Sequence, residues 1–190
     1  MRRTLVSAAL AVIAVVVMTG CTGTTSAAPT PVQSTDLTSS DGGFDQHAVV
    51  GVLLLSAAAT PGPTSGGVAL PDRFRSDLTT AGFRPDVRVA SATDPATSQV
   101  RDVQALVQRG AKALFVEAAD PDALTGAIQT AHDAGVVVIA LGDPLPSSGT
   151  GGDGLATDYR VQGTDSDAAM VGKAVAVVES LQRGKKPAGD

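Results

Sequence analysis

The chain has 190 residues, 43% of them hydrophobic and 17% charged, the balance of an ordinary globular domain. Its formal net charge of −5 argues against nucleic acid as a partner, because binding to phosphate backbones needs an excess of Lys and Arg. Cys21 is the only cysteine, so no internal disulfide is possible.

The N-terminus opens with Arg2 and Arg3, followed by an apolar run from Leu5 to Met18 that only Ser7 interrupts. A basic head, a short apolar stretch and small residues at the break form a secretory signal pattern over residues 1–20. The run is shorter than the roughly 20 apolar residues that span a bilayer. Met18-Thr19-Gly20-Cys21 resembles the lipobox of bacterial lipoproteins. The resemblance implies lipidation of Cys21 and anchoring on the outer face of the cytoplasmic membrane, or a periplasmic location. Residues 21–46 are rich in Ser, Thr, Pro and Gly without apolar periodicity, and read as a disordered tether.

The folded part is expected over residues 47–183, enough for one sizeable core. The run Ala48 to Leu55 is continuously apolar, as in a strand covered on both faces. Further strands are expected at Val87–Ala90, Ala113–Glu117, Val136–Leu141 and Tyr159–Gly163. A helix is expected from Pro71 to Ala81, ending before Gly82. A second runs from Ser98 to Arg109, with Val100, Val103, Leu106 and Val107 on one face and Gly110 as its stop. Asp120-Pro121 starts a third, striped by Leu124, Ala127, Ile128 and Ala131 and ended by Gly135. Asp165 or Ser166 caps the last, whose stripe is Val171, Ala174, Val175 and Val178. Strand–helix alternation predicts an α/β fold: a parallel sheet with helices on both faces. Ligands on such sheets bind beyond the carboxyl ends of the strands, where the strand order switches. Residues 56–70, 91–97, 118–120 and 142–158 are the loops at that end.

Several segments carry a family resemblance. They are Leu70 to Asp77, Gln99 to Val107, Gly110 to Val116, Ala119 to Leu124, Ala131 to Ala140, Gly163 to Asp165, and Val171-Gly172. In this order they resemble the N-terminal lobe of the sugar-binding proteins of ABC importers, with the type I periplasmic-binding-protein fold. The xylose and multiple-monosaccharide binders are the branch most alike. The resemblance implies a small polar ligand, a monosaccharide, an ABC permease as partner, and no enzymatic activity. It implies that Arg73 donates hydrogen bonds to the ligand, that Phe74 offers a ring face, and that the Asp143 carboxylate accepts from hydroxyls. Asp165 matches an acid of the family at the start of the last helix, where a capping role competes with a ligand role. Pro144 stands where the family has an Arg and supplies no donor. The family folds as two lobes closing on a ligand. Here residues 184–190 read as a tail with the second lobe absent, which leaves open a one-lobe interaction or sensor module as the alternative.

Other chemistry finds no support in the residues. His47 and His132 are the only histidines and lack a second ligand set, so no metal site is expected. Gly149-Thr150-Gly151-Gly152 is not followed by Lys, no Gly-x-Ser-x-Gly elbow occurs, and no cofactor is expected. Asp94 and Gln99 read as cap and surface residues of the second helix.

Overall fold

A computed structural model describes residues 44–45, 47–59, 67–142, 145, 157–162 and 166–187. Cys21, Asp143, Pro144 and Asp165 lie outside the described residues.

Five strands form one sheet: β1 (Val49–Leu54), β2 (Arg84–Val89), β3 (Ala111–Val116), β4 (Val137–Leu141) and β5 (Tyr159–Val161). Every pairing is parallel and the order is β2-β1-β3-β4-β5. Four α-helices link or follow them: α1 (Leu70–Thr80), α2 (Pro95–Gln108), α3 (Pro121–Asp133) and α4 (Asp167–Gln182). A short 3-10 helix, Ser56–Ala59, follows β1. The expected α/β class is thus the observed one.

The apolar runs form strands because both of their faces are covered. On one face, Phe74 and Leu78 of α1 and Val171, Ala174 and Val178 of α4 pack on Val50, Val52, Phe115 and Ile139. On the other, Val103 and Leu106 of α2 and Leu124, Ile128 and Ala131 of α3 pack on Leu53, Leu114, Val116 and Val138. Full burial of such a side chain is worth roughly 1.5–3 kcal/mol each, so these two layers supply most of the driving force. The periodic stripes read from the sequence therefore face the sheet, with Val100, Val107 and Val175 at the margins. Gly51 allows close approach in the middle of β1. A Cβ there would collide with Leu114 and come within 2.8 Å of a Leu106 methyl.

The two largest differences in element boundaries, three residues each, have physical reasons. Strand β2 starts at Arg84, three residues before the apolar run, because it is an edge strand whose first residues need not be apolar. Helix α2 starts at Pro95, a proline tolerated in a first turn, directly after its Asp94 cap.

Candidate functional site

Parallel strands send all their carboxyl ends to one side of the lobe. The chain passes from β1 outward to β2, then returns across β1 to β3, so the strand order switches between β1 and β3. In open sheets of this kind the ligand crevice lies beyond the carboxyl ends of the strands at such a switch point.

Polar side chains fasten the residues around this point. Leu55, just past β1, donates its N–H to Oε2 of Glu117, just past β3, at 2.9 Å. Glu117 donates its own N–H to Leu53 O at 2.9 Å. Gln99, in the first turns of α2, is only 1% exposed. Its amide nitrogen donates to Glu117 O at 2.6 Å, and its carbonyl accepts the Ala119 N–H at 2.9 Å. Ser98 Oγ accepts the Ser91 N–H at 2.8 Å, tying the exit of β2 to the same helix. The exits of three neighbouring strands are therefore held to one another and to α2.

The helices that begin at this end are capped as their sequences dictate. Asp94 accepts from Thr97 N–H at 3.3 Å, and Asp120 accepts from Asp122 N–H at 3.0 Å. Ser166 accepts from Ala169 N–H at 3.2 Å, which settles the cap of α4 on Ser166. Helix α1 differs: Ala69 precedes it and offers no side-chain cap.

The candidate residues fall in different places. Arg73 lies half-buried in the first turn of α1, on the carboxyl-end side of the sheet. Phe74 follows it but turns into the core, with no exposed surface. Its ring meets Phe115 with centroids 5.8 Å apart and planes tilted by 38°. In this structure the ring packs in the core and has no exposed face. Asp143 and Asp165 lie outside the described residues, so their positions are not part of this geometry. Asp94 is the cap it was expected to be. Gln99 is not a surface residue: its amide is buried because it replaces backbone partners for the turn after β3.

Glu117 was read only as the end of a strand. It is half-buried, it stands at the switch point, and its carboxylate can accept hydroxyl hydrogen bonds beyond the one from Leu55. A carboxylate ending an otherwise apolar run is the signal that could have singled it out.

Among the described residues, no group of three or more His, Cys, Asp and Glu could hold a metal ion. No described helix is long and apolar enough to cross a membrane. The arrangement is one of fixed hydrogen-bonding groups around the strand exits. That chemistry suits recognition of a small polar molecule.

The family model for the periplasmic binding protein domain matches residues 72–186. A search of curated proteins finds no match. Among solved structures, a carbohydrate transporter solute binding protein from Chloroflexus aurantiacus, in complex with D-glucose, is similar at 25% identity and a TM-score of 0.47. That alignment covers 62% of this chain and 31% of the other. A Caulobacter myo-inositol binding protein with bound myo-inositol is 23% identical with a TM-score of 0.47, covering 73% of this chain and 41% of that one. An ABC transporter solute binding protein from Mycobacterium smegmatis with bound glycerol is 24% identical with a TM-score of 0.44, covering 60% and 34%. The chain thus spans 31% to 41% of the length of these three proteins.

Proposed function

Since the chain belongs to the periplasmic binding protein domain family, we propose that it is a solute-binding component of an ABC-type importer, with a monosaccharide or similar small polyol as its ligand. The observation that carries this reading is the family match over residues 72–186, a stretch that includes α1 from its third residue, the whole of α2, α3 and α4, and strands β2 to β5. The family is extracytoplasmic. The signal pattern at residues 1–20 and the lipobox-like Met18 to Cys21 support export and attachment through a lipid on Cys21. More than one acyl chain there would give durable attachment, where a single chain is marginal.

In this reading the lobe forms one wall of the site. Arg73 donates from α1, and Glu117 accepts from the switch point. Asp143 and Asp165 add carboxylates from the loops after β4 and β5, and Phe74 acts from beneath by fixing the helix turn that carries Arg73. Binding needs no catalytic group, in keeping with a family of binding proteins and not enzymes.

Calorimetric titration of the full chain with a panel of pentoses, hexoses and inositols tests the proposal. At least one ligand should bind. Asp143→Ala should then weaken it by about tenfold to a hundredfold, the scale of hydrogen bonds to a charged group. Binding that is unchanged in Asp143→Ala and in Glu117→Ala would remove the site. Absence of binding across the panel would favour the second reading, an interaction or sensor module without transport function. Pro144, which replaces the donor Arg implied by the resemblance, is the observation that favours that second reading.

A further inference from the structure

Strand β2 is one edge of the sheet. Arg84 and Ala90 send their N–H groups to Ala48 O and Leu54 O on the β1 side. Residues of a parallel strand alternate in the direction of their backbone groups, so Pro85, Val87 and Val89 turn theirs outward. Pro85 has no N–H. Val87 O takes a hydrogen bond from Nη2 of Arg75 at 3.3 Å. The Val87 N–H then points away from the sheet as a donor.

An open cavity of about 320 Å³ runs along this edge, and Arg75, Arg84, Asp86, Val87 and Arg109 line it. Three guanidinium groups thus reach it from three elements: α1, β2 and the C-cap of α2. One carboxylate, Asp86, stands among them. This is a local positive excess in a chain of net charge −5. With the ion-paired neighbours included, Arg75, Arg84, Arg88 and Arg109 face Asp72, Asp86 and Asp102, which leaves one positive charge in excess. Asp86 holds Arg109 at 2.9 Å and Arg88 at 3.2 Å, and Asp102 holds Arg88 at 3.0 Å. Hydrogen bonding to Asp86, opposed by burial and helped by Asp102, raises the Arg88 pKa above its ordinary value. Asp72 holds Arg75 at 2.6 Å. Arg84 is exposed and makes no ion pair among the described residues.

We propose that this edge cavity is a binding site for a phosphate-type oxyanion, either inorganic phosphate or the headgroup of an acidic phospholipid. A guanidinium has five donors in a rigid fork, and among the described contacts Arg75 has committed two, Arg109 one and Arg84 none. Forked donors from Arg84 and Arg109 match pairs of phosphate oxygens. The outward N–H of Val87 adds a neutral donor between them, and Arg75 closes the far side. A set of ordinary surface ion pairs would give Arg84 a carboxylate, and it has none. The site lies toward the amino end of the sheet, away from the crevice at the strand exits, so it is independent of the ligand proposed there. Val49 also lines the cavity and follows the segment that leads from Cys21. Attachment through that segment would bring this edge near phospholipid headgroups.

The experiment uses the full chain and two probes. Inorganic phosphate is titrated while the Val87 amide is followed by NMR. In parallel, Cys21→Ala protein is floated with phosphatidylcholine vesicles, with and without phosphatidylglycerol, and the increment from the acidic lipid is recorded. Arg84→Ala with Arg109→Ala should weaken whichever interaction is seen by at least about tenfold, because each lost guanidinium removes a charge-assisted pair. Arg84→Lys should fall between, since it keeps the charge and loses the fork. A Val87 shift with phosphate that the double variant abolishes identifies a soluble oxyanion. A phosphatidylglycerol increment that the double variant abolishes, without a phosphate response, identifies the headgroup. No response to either probe, or a response that the double variant retains, overturns the proposal. Both side chains are exposed, and an unchanged thermal melt of the double variant verifies that the fold is intact.

Discussion

The two ends of this sheet are built by different means. At the amino end the chain enters β2, β3 and β4 through local turns. Helices α1, α2 and α3 stop at Gly82, Gly110 and Gly135, whose φ angles are 91°, 78° and 71°. In each the glycine N–H bonds back into the last turn, to Thr79 O, Val107 O and His132 O. Helix α4 stops the same way at Gly184, with its N–H on Leu181 O. At the carboxyl end the connections depend on side chains reaching far along the sequence, as when Leu55 bonds the carboxylate of Glu117, 62 residues away. Local turns fix where the strands begin. Long-range polar contacts shape the surface that meets a ligand.

A buried long-range polar contact at the amino end is the place where this contrast is most easily broken. Asp158, just before β5, accepts the Val138 N–H at 2.8 Å, and its Oδ2 lies 3.4 Å from His132 Nε2. Both side chains are 4% exposed. Asp158→Ala would leave the buried Val138 N–H without its acceptor and remove the carboxylate beside His132 Nε2, which itself makes no hydrogen bond. Urea denaturation should show a loss of about 3 kcal/mol, the upper end of the cost of a buried donor left unsatisfied. Asp158→Asn should lose less, because its carbonyl can still accept from Val138. Neither change should alter affinity at the strand exits. A large fall in ligand affinity with little loss of stability would mean that the two ends are coupled.

Gln99→Leu sharpens the contrast from the other side. It keeps most of the buried volume and removes both hydrogen bonds that hold the turn after β3. The expected loss is about 2 kcal/mol, lower than for Asp158 because the loop can admit water to the freed groups. Amide exchange at Ala119 should accelerate while the amides of β4 stay protected. Uniform acceleration across the sheet would show that Gln99 supports the core and not this end alone.

What the sequence made legible follows the same division. The glycines after the helices, the Asp94 and Asp120 caps and the apolar stripes each act within a few residues, so their meaning can be read locally. Gln99 could not be read that way. Its partners, Glu117 and Ala119, lie 18 and 20 positions away, and nothing local distinguishes a buried Gln from a solvated one. Asp158 was missed for the same reason, since its partners His132 and Val138 belong to other elements. Phe74 shows the converse. The family resemblance implied a ligand role for its ring, but adjacent positions on a helix face different directions, and the apolar ring lies inward.

Gly51 provides a control that touches neither end. Gly51→Ala would press a methyl against Leu106 and Leu114, two fully buried side chains of the same core layer. Overpacking of this kind costs about 1–3 kcal/mol, and the low part of that range is expected because both contacts are flexible Leu termini. The loss should appear in the urea midpoint with an unchanged slope.

The smallest effect is expected where a turn is tested alone. Gly110 has φ of 78°, and nothing lies within 4 Å of where its Cβ would be. Gly110→Ala therefore meets no steric obstacle, only the intrinsic preference of an L-residue against a left-handed backbone. That preference is about 1 kcal/mol, partly offset because alanine also restricts the unfolded chain. Thermal denaturation should show a shift of a few degrees, with amide exchange at Ala119 unchanged. A loss as large as that of Gln99→Leu would mean that this turn carries more than chain reversal. Arg109, which precedes Gly110 and bonds Asp86, would then be the group whose displacement accounts for it.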